Sequence, residues 1–303
     1  MKDNYPNKSL VGFCRLFGIT RQAYYKHFWQ WEATTIEQEI ILRRVKEIRR
    51  YHPVIGGRKL HMLLQSDLLH HEIKMGRDGL FDLLAAHKLL IRRKRRRAVT
   101  THSNHWYRKY SNLTKEFIPA SANELWVSDI TYWRTPVGFL YISFITDAYS
   151  HKIIGYHLAN NLEAINNVKA LQMALETLNG PVKGLIHHSD RGIQYCSVEY
   201  VNLLQDYKIR ISMTEKGDPL ENPIAERING IIKEEYLKHR NVQNQAKAFE
   251  VLQQSIQLYN DERPHLSNNL LTPKQAHLQK GKLKKQWKNY YPLKSNTVTL
   301  LQD

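Results

Sequence analysis

Apolar positions recur at helical spacing through the first third of the chain and at strand spacing through its middle. Ser9–His27 (SLVGFCRLFGITRQAYYKH) predicts two short helices around a turn at Phe17-Gly18-Ile19, with Thr20 capping the second. Arg21, Gln22, Tyr24 and Tyr25 follow that cap. A helix-turn-helix with a polar second helix and a plain helical hairpin both fit this pattern. Thr34–Tyr51 predicts a long amphipathic helix, with Ile41, Val45 and Ile48 along one face. His52-Pro53 stops it, because a proline ring disfavours helix at the preceding residue. Gly56-Gly57 opens a helix over Arg58–Leu69, and a further helix covers Arg77–Leu90. The first third therefore reads as small all-α units of helix-turn-helix type.

From Glu124 the period changes. Leu125–Trp133, Gly138–Asp147 and Lys152–Leu158 predict three strands with tight connections, an antiparallel meander. Leu162–Leu178 predicts a helix stopped by Asn179-Gly180-Pro181. Val182–His188 is a fourth strand, Val198–Tyr207 a helix and Ile209–Met213 a fifth strand. The loop Glu215–Glu221 leads to another helix, with Asn222 as N-cap and Pro223 in its first turn, where a missing N–H costs nothing. This is a mixed α/β plan whose element order matches the ribonuclease-H-like fold. The expected division is 1–33 (helix-turn-helix remnant or hairpin), 34–98 (helical domain), 99–122 (linker), 123–280 (α/β core) and 281–303 (basic tail).

Charge sharpens the picture. The net charge of +17 splits into +14 over residues 1–118, −3 over 119–273 and +6 over 274–303. Basic arms around a mildly acidic middle suit a polyanion, which binds cations through counterion release. Arg92-Arg93-Lys94-Arg95-Arg96-Arg97 is six consecutive cations, a solvated linker and a phosphate clamp at once. No apolar run approaches membrane-spanning length, and the N-terminus lacks a signal peptide's hydrophobic segment. Two cysteines, Cys14 and Cys196, make neither a disulfide framework nor a zinc-ligand spacing. A reduced, cytoplasmic, nucleoid-associated protein is expected.

Three carboxylates carry the candidate chemistry. Asp129 lies mid-strand in WVSDITY, where Asp is depleted and a carboxylate needs a partner such as a cation. Asp190 closes HHSD before a turn, where capping is an alternative role. Glu226 lies in the first turn of ENPIAERINGIIKEE, opposite the stripe Ile224, Ile228, Ile231 and Ile232; there a solvated glutamate beside the helix dipole is the alternative. Strand-end and helix carboxylates that converge bind hard divalent cations. A pair of such ions can activate one oxygen and stabilise another at a phosphodiester.

With sixty residues between Asp129 and Asp190 and thirty-five between Asp190 and Glu226, these motifs resemble the D,D-35-E integrase core. Within it the chain resembles transposases of the insertion sequence three family. Tyr51-His52-Pro53, Gly56-Gly57-Arg58-Lys59-Leu60, FITDAYSHKIIGY and YNDERPHLSNNLLTPKQA (259–276) extend the likeness over roughly residues 35–278. The resemblance implies a ribonuclease-H-like integrase core with a five-stranded mixed sheet. It implies a transposase that cleaves transposon ends and joins the freed 3′-hydroxyl to another phosphodiester, with no covalent enzyme–DNA bond. Asp129, Asp190 and Glu226 would hold two Mg2+ ions, with Mn2+ as a substitute. Partners would be the terminal inverted repeats and target DNA, a homo-oligomer on that DNA, and an upstream-frame helix-turn-helix protein. Family members typically pass through a circular intermediate. The chain departs from the family at Glu221-Asn222, more often Asp-Asn, and at Arg227, more often Ser.

Other residues divide between chemistry and architecture. Arg58, Lys59, Arg191, Lys216 and Lys233 are candidate phosphate contacts, together with the basic run. Asp147 is read as a turn residue, His187-His188 as DNA or structural contacts rather than zinc ligands, and Trp126, Trp133, Tyr141 and Phe144 as core. By family likeness, Arg263 and His265 brace the active-site edge. A transcriptional regulator with an inactive core and a structure-directed nuclease are the competing readings.

Overall fold

The computed structural model describes residues 9–91, 107–178, 180, 184–215 and 221–286, in two compact units that divide at Arg92. The basic run Arg92–Arg97 and Lys216 lie outside the described residues.

In the first unit, α1 (Leu10–Leu16) begins at Ser9, whose side chain accepts from Gly12 N–H, and α2 (Arg21–Tyr51) begins at Thr20, which accepts from Ala23 N–H. The turn between them holds Gly18 at φ +65°, a left-handed conformation that favours glycine. Where the periodicity predicts two helices, over residues 20–27 and 34–51, α2 is a single helix of 31 residues. No glycine or proline interrupts residues 21–51, so nothing local breaks it. The helix expected over Arg58–Leu69 is instead two short helices, α3 (Gly57–Leu63) and α4 (Gln65–His70), and α5 covers Arg77–Ala86. Ile41, Val45 and Ile48 of α2 bury against Leu60, Leu64, Leu80 and Leu84.

In the second unit five strands form one sheet in the order β3-β2-β1-β4-β5. Strands β1 (Leu125–Thr135), β2 (Gly138–Asp147) and β3 (Ile153–Ala159) make the expected antiparallel meander. β4 (Ile186–Ser189) and β5 (Arg210–Met213) run parallel to β1. On β1, β4 pairs only with Leu125–Val127. Beyond Val127, β1 has a described strand on its β2 side alone.

Alternation along β1 and β2 fills two cores. Trp133, Leu140, Ile142 and Phe144 pack against α8 (Pro223–Ile231), the π-helical turn Ile232–Leu237 that continues it, and α9 (Gln245–Asp261). The opposite face holds Trp126 and Ile145. They pack against α6 (Ala164–Glu176), the 3-10 turn Ile193–Cys196 and α7 (Val198–Asp206). Further along, α10 (Pro273–His277) starts behind Thr272 in a capping box. Gly155 permits the close approach of β3 to α6: a Cβ there would collide with the Ala170 carbonyl oxygen and press on Ala174. Trp126, Trp133 and Phe144 are core, as expected, while Tyr141 is half-buried. Asp147 is a turn anchor: it accepts from Asn123 N–H (2.8 Å), Ser150 N–H (2.8 Å) and Ser150 Oγ (2.6 Å).

Candidate active site

Asp129 sits just beyond the point where β4 leaves β1, on the face that receives α8. Its Oδ1 accepts the Ile130 N–H at 2.9 Å, and its Oδ2 accepts the Asn229 side-chain amide at 2.8 Å. Asn229 is three residues after Glu226, so both lie on neighbouring faces of α8. Burial pushes the Asp129 carboxyl up to about 8; the negative charges of Asp190 and Glu226 add to that, and the two hydrogen bonds oppose it. The fields of the other two carboxylates therefore meet at Asp129.

Asp190 follows β4 directly. Its Oδ1 accepts the Gly192 N–H at 2.9 Å, an Asx turn that fixes the side chain through the backbone two residues on. A Cβ at Gly192 would stand 3.0 Å from the same oxygen. Tyr195, from the 3-10 turn, meets Ser128 Oγ at 3.1 Å. Burial and the charges of Asp129 and Asp190 raise its pKa, so the phenol stays neutral.

Glu226 is exposed in the first turn of α8. Asn222, expected to cap that helix, makes no capping bond. Its amide instead donates to the Ser128 carbonyl oxygen at 2.9 Å, which ties the helix start to β1 beside Asp129. The preceding residue is held as well: the Glu221 carbonyl oxygen lies 3.0 Å from His188 Nε2, whose Nδ1 lies 2.8 Å from Ser212 Oγ. His187 Nε2 meets the Tyr200 hydroxyl at 2.9 Å. His188 thus braces the α8 entry and His187 ties β4 to α7, and burial lowers both pKa values, that of His187 to about 3. Ile228, Ile231 and Ile232 dock the helix on the sheet. Burying each is worth about 1.5–3 kcal/mol, more than one missing cap costs.

Three separate elements carry the three acids: β1, the turn after β4, and α8. Among the described residues, no three His, Cys, Asp or Glu side chains stand close enough as placed to share one ion. The fit to a metal lies in the donor set: all-oxygen carboxylates whose mutual repulsion centres on Asp129.

The candidate phosphate contacts separate. Arg58 (exposed) and Lys59 (half-buried) lie on α3 of the first unit. Arg191 is half-buried beside Asp190. Lys233, in the π turn, places Nζ 3.4 Å from Thr131 Oγ1 and 3.8 Å from the centre of the Tyr132 ring. Burial lowers its pKa, while Asp129 counts among the charges that hold it up.

Arg263 does not brace the site edge directly. It is buried, with Nε and Nη2 each donating to a Glu235 carboxylate oxygen at 2.8 Å, and Nη1 2.9 Å from His265 Nε2. A buried guanidinium needs a carboxylate, and the π turn supplies it. Asn229 escapes a reading of the sequence for acids and cations alone, and so does the pairing of Glu235 with Arg263. The spacing of Asn229 from Glu226 was the available signal.

Two family models, each described as Integrase core domain, match residues 119–219 and 207–273. The chain is 34% identical over 266 residues to the IS600 insertion-element uncharacterized 31 kDa protein of Shigella sonnei, covering 86% of this chain and 95% of that protein. It is 30% identical over 222 residues to the transposase for insertion sequence element IS629 of Shigella sonnei, covering 72% and 73%. It is 38% identical over 114 residues to the transposase InsF for IS3A of Escherichia coli strain K12, covering 38% and 39%. Among solved structures, the HTLV-2 integrase catalytic core domain in complex with magnesium aligns at TM-score 0.42 and 19% identity, over 52% of this chain and 97% of that one. A simian T-cell lymphotropic virus intasome chain aligns at TM-score 0.46 and 16% identity, over 74% and 75%.

Proposed function

The chain belongs to the insertion-sequence transposases of the insertion sequence three family, with an integrase core domain, and we propose that Asp129, Asp190 and Glu226 are the acids with which it cuts and joins DNA. It is a DNA transposase of the DDE type. The observation that carries the site is the hydrogen bond by which Asn229 ties the Asp129 carboxylate to the helix that carries Glu226; the charges of Asp190 and Glu226, which push the Asp129 pKa up, support it.

Asp129 would pair with Asp190 for one ion and with Glu226 for the other. Two Mg2+ ions, or Mn2+ in their place, would be held by those pairs. When bound they would activate a water or a 3′-hydroxyl and stabilise the departing oxygen at the phosphodiester. The chain's own residues prepare that site. Asn229 and the Ile130 N–H hold the Asp129 oxygens in place, and the Gly192 N–H holds Asp190. Asn222 and His188 set the entry of α8, and with it Glu226. Tyr195, neutral and buried, supports Ser128 without adding charge. The substrates are the element's terminal inverted repeats and a target DNA, on an oligomer of this chain. An upstream-frame helix-turn-helix protein is a further partner. The cations of the first unit and the run Arg92–Arg97 supply sequence-independent attraction. Among the described residues no helix is long and apolar enough to cross a membrane, in keeping with a cytoplasmic, nucleoid-associated place of action.

The test uses a plasmid that carries this gene with its natural flanking DNA. Asp129→Asn, Asp190→Asn and Glu226→Gln should each abolish Mg2+-dependent end cleavage and joining while DNA binding persists. Activity retained in two of the three variants overturns the site.

A further inference from the structure

The rim of β1 beyond Asp129 carries two exposed aromatic rings. Tyr132 is 44% exposed and Phe139, across the β1–β2 hairpin, is 53% exposed. Their centroids are 5.9 Å apart with the planes at 73°. Val137, at the hairpin tip, is 51% exposed. The same hairpin buries Trp133 and Leu140, so it has an apolar interior and a second, exposed apolar surface. Lys233 reaches this rim from the π turn and lays its ammonium on the Tyr132 ring at 3.8 Å.

Position and chemistry narrow the occupant. Tyr132 is three residues along the strand from Asp129, a rise of roughly 10 Å, about three base steps of stacked duplex; alternation puts its ring on the other face of the sheet, and Lys233, which meets both Thr131 and Tyr132, links the two faces around the free edge of β1. A phosphate contact alone needs only cations; flat rings beside the cation suit a nucleobase. Lys233 covers one face of Tyr132, which leaves Phe139, the more exposed ring, open to a base. Apolar side chains that enter between base steps unstack them, and Val137 lies at the hairpin tip to do so.

We propose that Tyr132 and Phe139 form a stacking surface for an unpaired nucleobase of the DNA end about three nucleotides from the scissile phosphate, with Lys233 on the phosphate of that nucleotide. The proposal rests on the transposase reading of the Asp129 site and adds how the end is held open there. It makes Phe139 a positioning residue for the DNA end, where chemistry itself needs only the acids.

The probe is a forked DNA duplex with 2-aminopurine at the first unpaired position, bound by the full chain in chelator so that no cleavage intrudes. Binding should quench the fluorescence, and the chain should prefer the fork to a blunt duplex. Phe139→Ala should abolish the quench and weaken fork binding about tenfold, with blunt-duplex binding nearly unchanged. Phe139→Trp should restore both, and the melting midpoint of each variant serves as the folding control. An unchanged fork preference in Phe139→Ala overturns the proposal. So does a loss of self-association in sedimentation with fork binding intact, which would make the rim a contact between copies. Failure of the transposase reading would show separately: wild-type chain would not cut ends in Mg2+, while the fork measurement would stand.

Discussion

Replacing Glu235 by glutamine isolates the buried ion pair beneath the π turn. The Arg263 side chain is 1% exposed and that of Glu235 19%. Burial works against the Arg263 charge, and Glu235 more than offsets it. Glutamine keeps an acceptor on one side and turns a donor toward the guanidinium on the other, so one of the two 2.8 Å bonds becomes a donor–donor contact. Removing one partner of a buried pair costs about 3–5 kcal/mol. The partial exposure of Glu235 admits water, which places this case near about 3 kcal/mol. With an m-value of about 2–3 kcal/mol/M, the urea midpoint of the second unit should fall by about 1 M or more. Fluorescence of the buried Trp126 and Trp133 follows that unfolding. The pair Glu235→Leu with Arg263→Met should recover much of the loss, because an apolar exchange leaves no unpaired charge. A shift under about 0.3 M with unchanged m, equivalent to less than about 1 kcal/mol, would refute the reasoning.

Asn229→Ala releases Asp129 Oδ2; the Mg2+ needed for half-maximal cleavage, and for the Mg2+-induced rise in melting temperature, should increase about 10–100-fold, and an unmoved midpoint contradicts this. Gly155→Ala drives a Cβ into the α6 backbone at Ala170 and should cost about 1–3 kcal/mol or more by urea unfolding, whereas Gly56→Ala, with open space around it, should spare the packing. His187 has its folded pKa lowered to about 3 by burial, so the unfolded chain binds the proton more readily. Its stabilising contribution is complete above about pH 6.5 and is lost as the pH falls toward 3, by up to about 1.4 kcal/mol per unit. His187→Gln should flatten that acid limb of the stability curve, with the remaining slope left to the other groups whose folded pKa values are lowered, His188, His151, His157 and Asp147 among them; an unchanged slope sinks the assignment.

The order of strands and helices in the second unit was legible because each turn carries its own breaker and each strand alternates toward two cores. The acids were legible because strand interiors disfavour Asp, so a carboxylate at position 129 demands a partner. What stayed hidden depends on contacts distant in sequence. Asn222 has the residue type and position of an N-cap, yet its amide finds the Ser128 carbonyl oxygen ninety-four residues away. Arg263 is joined to Glu235 twenty-eight residues earlier, which no local pattern predicts. In the first unit, the chemistry of residues 20–34 marks a start at Thr20 and nothing that forbids continuation. Only the folded chain tells one helix of 31 residues from two shorter ones.

The rim of β1 has one further consequence. From Ser128 onward its outer backbone groups meet no described strand of the sheet, the condition under which a foreign chain can add itself and seed fibrous growth. A lysine lying across such an edge is a natural guard, since each added strand would have to bury or repel its charge. Lys233 crosses there at Thr131. Its loss would lower the concentration at which the protein stays clear in solution, whatever happens to its dealings with DNA.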